Sequence, residues 1–189
     1  MPKVGLSNLH YALLQSDTKE GATYGDVKPV TLLAKAKISP KTNSKTYYAD
    51  NGPAVTYTAM GEVEVEFEIG DLPIEIVAEW LGATCKNGVM INKSTDQPKE
   101  LALGFESLKS NGKKVFYWLY KGKFSIPEED LKTLEETPDF QPQTIKGTFV
   151  KRVFDDAWRA VADEDGENFE PNIAENWFKS VYQESTTSA

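Results

Sequence analysis

The sequence predicts a mainly β fold, α+β at most, with one short helix lying on a sheet and one long extended arm. Three observations carry that expectation. Glu62, Glu64, Glu66 and Glu68 alternate strictly with Val63, Val65, Phe67 and Ile69, the period of a strand with one wet and one dry face. The run Val115-Phe116-Tyr117-Trp118-Leu119-Tyr120 is apolar on both faces, which marks a central strand covered on each side. Lys86-Asn87-Gly88 and Ser110-Asn111-Gly112-Lys113 are hairpin turn signals between short β-prone segments.

In chain order, a first strand is expected around Asn8 to Leu14, then a polar loop from Ser16 to Thr23 and a second strand from Val30 to Ile38. Ser39 to Met60 holds Pro40, Asn43 and Asp50-Asn51-Gly52-Pro53 with few aliphatic residues. It reads as a loop or arm over 38–61, longer than most connections inside a compact domain. Tyr47, Tyr48 and Tyr57 on that arm suit docking onto a partner surface. After the glutamate strand, Asp71 can cap a helix, Pro73 fits its first turn, Ile74, Val77, Ala78 and Leu81 recur at helical spacing, and Gly82 stops it. Strands follow at Glu100 to Ser107, Lys114 to Phe124 and Gln143 to Arg152, the last two separated by an acidic, proline-broken loop from Pro127 to Phe140. The acidic segment 153–189 ends the chain, with Ile173, Trp177, Phe178 and Val181 spaced for a helix over 173–182.

At 189 residues and 21.1 kDa, the chain reads as one domain over 1–189, large enough to need no disulfide scaffold. Cys85 is the only cysteine, so no intrachain bridge can form. No apolar run suits a signal peptide or a membrane span, so a soluble chain without membrane partners is expected. A net charge of −8 disfavours gripping nucleic acid, which works by neutralising phosphates with Lys and Arg. Like charges at every second position of the glutamate strand repel, so that row costs stability unless neighbouring strands supply cations. Its plain reading is a solvated sheet face.

Catalytic chemistry is not expected. The single histidine, His10, has no second histidine or thiol to complete a site, and no phosphate-binding glycine loop, nucleophile elbow or zinc-protease helix occurs. Asp163-Glu164-Asp165-Gly166-Glu167 partly imitates a calcium loop, but Val161 and Asn172 fall where its first and last ligands belong. An exposed acidic turn is the better reading, and neither a metal nor a cofactor is expected. An acid-pair hydrolase would draw on Asp155, Asp156 and Asp163, although nothing singles out a pair. Tyr117, Trp118 and Tyr120 could line a sugar groove, but their place in an aliphatic strand favours core packing.

A series of short motifs points further: Val4-Gly5-Leu6; Ser39-Pro40-Lys41-Thr42-Asn43 with Ala49-Asp50-Asn51-Gly52-Pro53; Asp71-Leu72-Pro73 with Leu81-Gly82; Ala102-Leu103-Gly104-Phe105; Trp118-Leu119-Tyr120-Lys121-Gly122-Lys123-Phe124; and Gly147-Thr148-Phe149-Val150-Lys151-Arg152. In this order and spacing they resemble the major tail protein (tail tube) family of long-tailed, non-contractile phages of Gram-positive bacteria, with little match beyond Arg152. The resemblance implies a β-sandwich or barrel with a flanking helix, assembled into hexameric rings that stack into a hollow tube for DNA ejection. It implies a structural virion protein, assembled in the host cytoplasm, whose partners are further copies of itself and the tape measure, terminator and distal tail proteins. Double-stranded DNA would pass through without specific binding. Under it, Glu62, Glu64, Glu66 and Glu68 would line an acidic lumen, and Tyr47, Tyr48, Asp50 and Tyr57 would make inter-ring contacts. The competing readings are a carbohydrate-binding or adhesion module, which predicts a monomer that responds to glycans, and another ring-forming tail protein, which would lack open-ended stacking.

Overall fold

The computed structural model describes residues 1–49, 52–128, 133 and 142–184. Its strands are β1 (Lys3–Thr18), β2 (Gly21–Tyr24), β3 (Lys28–Val30), β4 (Leu33–Ala49), β5 (Gly52–Ile69), β6 (Thr84–Lys86), β7 (Val89–Ile91), β8 (Leu101–Lys109), β9 (Lys114–Phe124), β10 (Gln143–Val150) and β11 (Arg159–Asp163), with helices α1 (Ile74–Leu81) and α2 (Pro171–Asn176). Nine strands form one antiparallel sheet whose main path runs β2-β1-β8-β9-β10-β5-β4. β3 pairs with β1 and β11 with β9, while β6 and β7 make a separate hairpin. The sheet curls far enough to bring β1 and β4 into contact, so the mainly β, antiparallel expectation holds.

β9 organises the domain because both of its faces are dry. Val115, Tyr117 and Leu119 point into a core with Val63, Val65, Phe67, Ile69, Leu103 and Phe105, closed by Val77, Trp80 and Leu81 of α1. Phe116, Trp118 and Tyr120 point the other way, into a second core covered by Trp177 and Val181. Leu103 faces Leu119 but Leu101 faces Gly122, so β9 carries one extra residue at Tyr120-Lys121. That bulge reverses the alternation and turns Gly122 and Phe124 toward the first core. β9 also changes partner there: Val115 to Leu119 pair with β11, and Lys121 to Phe124 pair with β10.

Cross-strand glycines let aromatic rings lie against backbone. Gly104 is paired with Trp118, Gly122 with Phe149 and Gly147 with Phe124, and in each case a Cβ on the glycine would stand within 3 Å of its partner's ring.

Several elements differ from expectation. The polar loop 16–23 is mostly a hairpin, with Thr18 opposite Gly21, and the first strand begins at Lys3, passing a bulge where Asn8 takes a φ of 55°. The expected strand Val30 to Ile38 breaks at Leu32, whose φ is 61°, so that Val30 pairs with Leu9 while Leu33 starts a different strand. The supposed loop is strand over Ser39 to Ala49 and Gly52 to Met60: β4 and β5 pair from Leu33↔Ile69 to Ala49↔Gly52, and Asp50 and Asn51 lie outside the described residues. Threonine and tyrosine side chains suit a strand even without aliphatic neighbours, and Pro40 sits where the ladder shifts register. α1 ends at Gly82, which is left-handed at φ 71°, but its N-cap position is Pro73, and Asp71 lies too early to cap it. β11 was not anticipated, and α2 spans only six residues instead of 173–182. Most of the loop from Pro127 to Phe140 lies outside the described residues.

Gly122→Ala should destabilise the fold by about 1–3 kcal/mol, because its Cβ would meet the Phe149 ring at 2.4 Å. Gly21→Ala, with nothing within 4 Å of the added carbon, should change stability by less than about 0.5 kcal/mol. Urea unfolding of both variants checks this, and equal effects would show that Phe149 steps aside freely.

Candidate functional site

Two features of the β4–β5 hairpin stand out, one at its root and one at its tip. At the root, β5 is held between β4 and β10, and Val63, Val65, Phe67 and Ile69 are buried while Glu62, Glu64, Glu66 and Glu68 share the outer face. The outer face is not acidic. Register places Lys35 opposite Glu68 and puts Glu66 between Lys37 and Lys146. Lys35 Nζ lies 2.5 Å from Glu68, and Lys41 Nζ lies 2.8 Å from Glu62 and 2.6 Å from Glu64. The hydrogen bond that Lys35 donates to Glu68 raises its ammonium above its ordinary value, and those that Lys41 donates to Glu62 and Glu64 do the same for Lys41. The expected acidic face is therefore corrected to an ion-paired one: Lys35 and Lys41 of β4 pair with Glu62, Glu64 and Glu68, while Lys146 of β10, opposite Glu66 in register, pairs with Glu128. Each exposed pair contributes little to stability, so the consequence of these pairs is near-neutrality of the face.

The tip is a two-stranded ribbon. β10 covers β5 only from Val63 to Ile69, so among the described residues the ribbon from Thr42 to Ala49 and Gly52 to Met60 pairs only with itself. It leaves the sheet at a bulge, Gly61-Glu62 opposite Lys41, where the Lys41 carbonyl oxygen would be 3.3 Å from a Cβ on Gly61. Pairing gives the ribbon two unlike faces. One carries hydroxyls, with Ser44 hydrogen-bonded to Thr58 at 2.9 Å and Thr46 to Thr56 at 3.2 Å. The other carries Lys45 opposite Tyr57 and Tyr47 opposite Val55. Tyr47 is 69% exposed and Tyr57 72%. Tyr48 pairs through its backbone with Pro53, and Asp50 lies outside the described residues.

The candidates for chemistry are each engaged elsewhere. His10 Nδ1 lies 2.9 Å from the Asn8 carbonyl oxygen, and its ring stacks on Phe178 at 4.4 Å. Asp155 pairs with Arg152, Asp156 with Lys151, and Asp163 and Asp165 both with the Lys109 ammonium. Among the described residues, no three His, Cys, Asp or Glu side chains gather as metal ligands. Tyr117, Trp118 and Tyr120 are buried, as core packing requires, and not arranged along a groove.

Sequence reasoning missed the clamp that ties the C-terminal segment to the sheet. The Asp17 carboxylate, 4% exposed, accepts from Lys121 Nζ at 2.8 Å and from the backbone N–H groups of Val153 and Phe154. Beside it, buried Arg152 donates to Asp155, and its guanidinium lies 3.7 Å over the Tyr120 ring. Burial pushes the Tyr120 and Tyr24 phenols up to about 12, although Arg152 opposes it at both. Arg152 and Asp155 are three residues apart, but no local signal could have brought Asp17 to Lys121 and Val153 or Arg152 to Tyr120.

No protein-family model matches this chain, and no curated protein matches it.

The clamp predicts a pH dependence. Burial alone would raise the Asp17 carboxyl, but the hydrogen bonds from Lys121, Val153 and Phe154 outweigh it and hold it below its ordinary value. Its contribution is therefore full above the unfolded value of about 4 and fades as pH falls through the lower folded one. Asp17→Asn should cost on the order of 2 kcal/mol at pH 7. Its deficit against wild type should shrink as the pH is lowered below about 4, measured by chemical unfolding at each pH. A pH-independent deficit would mean that the charge of Asp17 contributes nothing.

Proposed function

We propose that this chain is a major tail protein, the repeating subunit of the tail tube of a long-tailed, non-contractile phage, forming hexameric rings that stack into a hollow conduit for DNA ejection. The motif series from Val4 to Arg152 supplies the family. The observation that carries the reading is the ribbon arm. An isolated two-stranded hairpin is marginal in water. This one exposes Tyr47, Val55 and Tyr57 on one face and, among its described residues from Thr42 to Met60, bears a single charge, at Lys45. Aromatic-rich, charge-poor surface of this kind is characteristic of interface cores, and stacking of one ring on the next supplies the missing cover.

In this reading Tyr47, Tyr48, Asp50 and Tyr57 belong to the inter-ring contact, and Glu62, Glu64, Glu66 and Glu68 face the lumen. Their lysine partners change what such a lumen does. A near-neutral lattice offers phosphates neither the attraction of a basic wall nor the long-range repulsion of an acidic one, and DNA sliding past it would meet little electrostatic friction. Among the described residues β4 ends the sheet path, and such an edge is the kind that ring closure can satisfy by pairing with a neighbouring copy. No enzymatic step, metal or cofactor is invoked; the tape measure, terminator and distal tail proteins are the expected partners.

Negative-stain electron microscopy and size exclusion on concentrated protein test this. The full chain should give rings and hollow tubes. Replacing residues 42–60 by an Asn-Gly turn, which Lys41 and Gly61 are close enough to accept, should leave a folded subunit that forms no tubes. Tubes of ordinary length from the shortened chain would remove the arm from the stacking contact. A strict monomer whose tryptophan fluorescence responds to glycans would replace the tube reading with the binding-module one.

A further inference from the structure

We infer that the arms of neighbouring copies pair edge to edge, β4 of one with β5 of the next, into a closed antiparallel barrel. This deepens the tube reading and rests on it: the arm edges join copies within a ring, and the face that bears Tyr47 and Tyr57 is left for the next ring.

The edge of β4 changes character at the bulge. From Leu33 to Lys41 the strand carries Lys35, Lys37, Lys41 and Pro40. Lysines and a missing backbone donor are the devices that keep an edge strand from recruiting another chain. This stretch also starts beside β1, where Leu33 shares a cleft with Leu6 and Leu9. Past the bulge the protection stops: Thr42 to Ala49 holds one charge, at Lys45, and no proline. The edge of β5 opens at the same level, because β10 covers β5 only from Val63 to Ile69. There Val55-Thr56-Tyr57-Thr58-Ala59-Met60 combines high β-propensity with no charge, proline or glycine, a composition that pairs readily with another chain. Among the described residues neither arm edge has a strand partner. A soluble monomer protects such edges, and this chain protects only the root.

Two open edges on opposite sides of one ribbon define the partner. Copies related by rotation about an axis along the arms set β4 of one beside β5 of the next, running in opposite directions. The new pairs are then antiparallel, like those inside the ribbon. The contact is heterologous, and completing the ring leaves no arm edge open. β2, at the other end of the sheet path, does not compete, because it is four residues long and its Ala22 carbonyl oxygen already accepts from the Gln183 side chain at 3.1 Å. The pleat sorts the side chains of such a barrel: Lys45, Tyr47, Val55 and Tyr57 on one wall, Ser44, Thr46, Thr56 and Thr58 on the other.

The test uses the full chain with Cys85→Ser and one introduced cysteine per chain. Protein carrying Ser44→Cys or Thr46→Cys on β4 is mixed with protein carrying Thr56→Cys or Thr58→Cys on β5, assembled and oxidised. At least one of these mixtures should give disulfide-linked dimers, at least tenfold more than either variant assembled alone. In a second variant, Ser44→Lys with Thr46→Lys extends the protection of the root along the arm. It should lower the pelletable assembled fraction at least tenfold while circular dichroism stays unchanged. Tubes that form without any β4-to-β5 disulfide, with β4 variants linking to themselves, or undiminished in the double lysine variant overturn the edge pairing and leave the tube reading standing. A wild-type chain that never assembles at high concentration overturns both.

Discussion

The rest of the structure depends on a constraint at β9: a strand apolar on both faces cannot be covered by one layer. Its odd residues are sheltered by the curled sheet and α1, and its even residues need a separate cover. The chain supplies that cover from its own C-terminal segment, through Trp177, Val181 and their partly buried neighbours Ile173 and Phe178. Trp118 donates to the Trp177 carbonyl oxygen, and Trp177 donates to that of Tyr117, so two buried indoles satisfy their donors on the backbone across the seam. The C-terminal segment therefore closes the second core, and the Asp17 and Arg152 clamp fixes the turn through which the chain reaches it.

What the sequence made legible follows from how local each signal is. The two dry faces of β9, the alternation of β5, the Asn-Gly turns and the Gly82 stop each rest on neighbours a few residues apart, and each is present in the fold. The arm was misread as loop because Pro40, Asn43 and a shortage of aliphatic residues outweighed its threonines and tyrosines. A strand that buries nothing has no alternation of hydropathy to display. β11, with Val161 its only large aliphatic residue, and the six-residue α2 are likewise set by the strand and aromatic surface they cover. Tertiary context decides such segments.

The glutamate row shows the same limit at the level of the site. Alternation told correctly that four carboxylates share a face, but the charge of a sheet face is a property of register. Lys35 and Lys37 belong to a segment read as an ordinary strand, and Lys41 to one read as a loop, while Lys146 lies some eighty residues away in sequence. Only the pairing of β4, β5 and β10 interleaves them with the glutamates.

Lattice and arm belong to one hairpin, and their difference is instructive. Up to the bulge at Gly61-Glu62 the ribbon is supported by β10 and the core, so its outer face can satisfy charge with charge. Past the bulge that support ends, and the ribbon gives up charge for hydroxyls and aromatics. A monomer gains nothing from this exchange, since exposed tyrosines on an unsupported hairpin bury no area and an isolated ribbon is barely stable. In the proposed polymer the arm would gain, because its tyrosines would be buried on contact with the next ring. Under the proposed reading, that coupling would keep free subunits from adhering strongly through a preformed surface. In the proposed tube, the weakness of the hairpin in isolation would favour addition to an existing ring over random aggregation in solution.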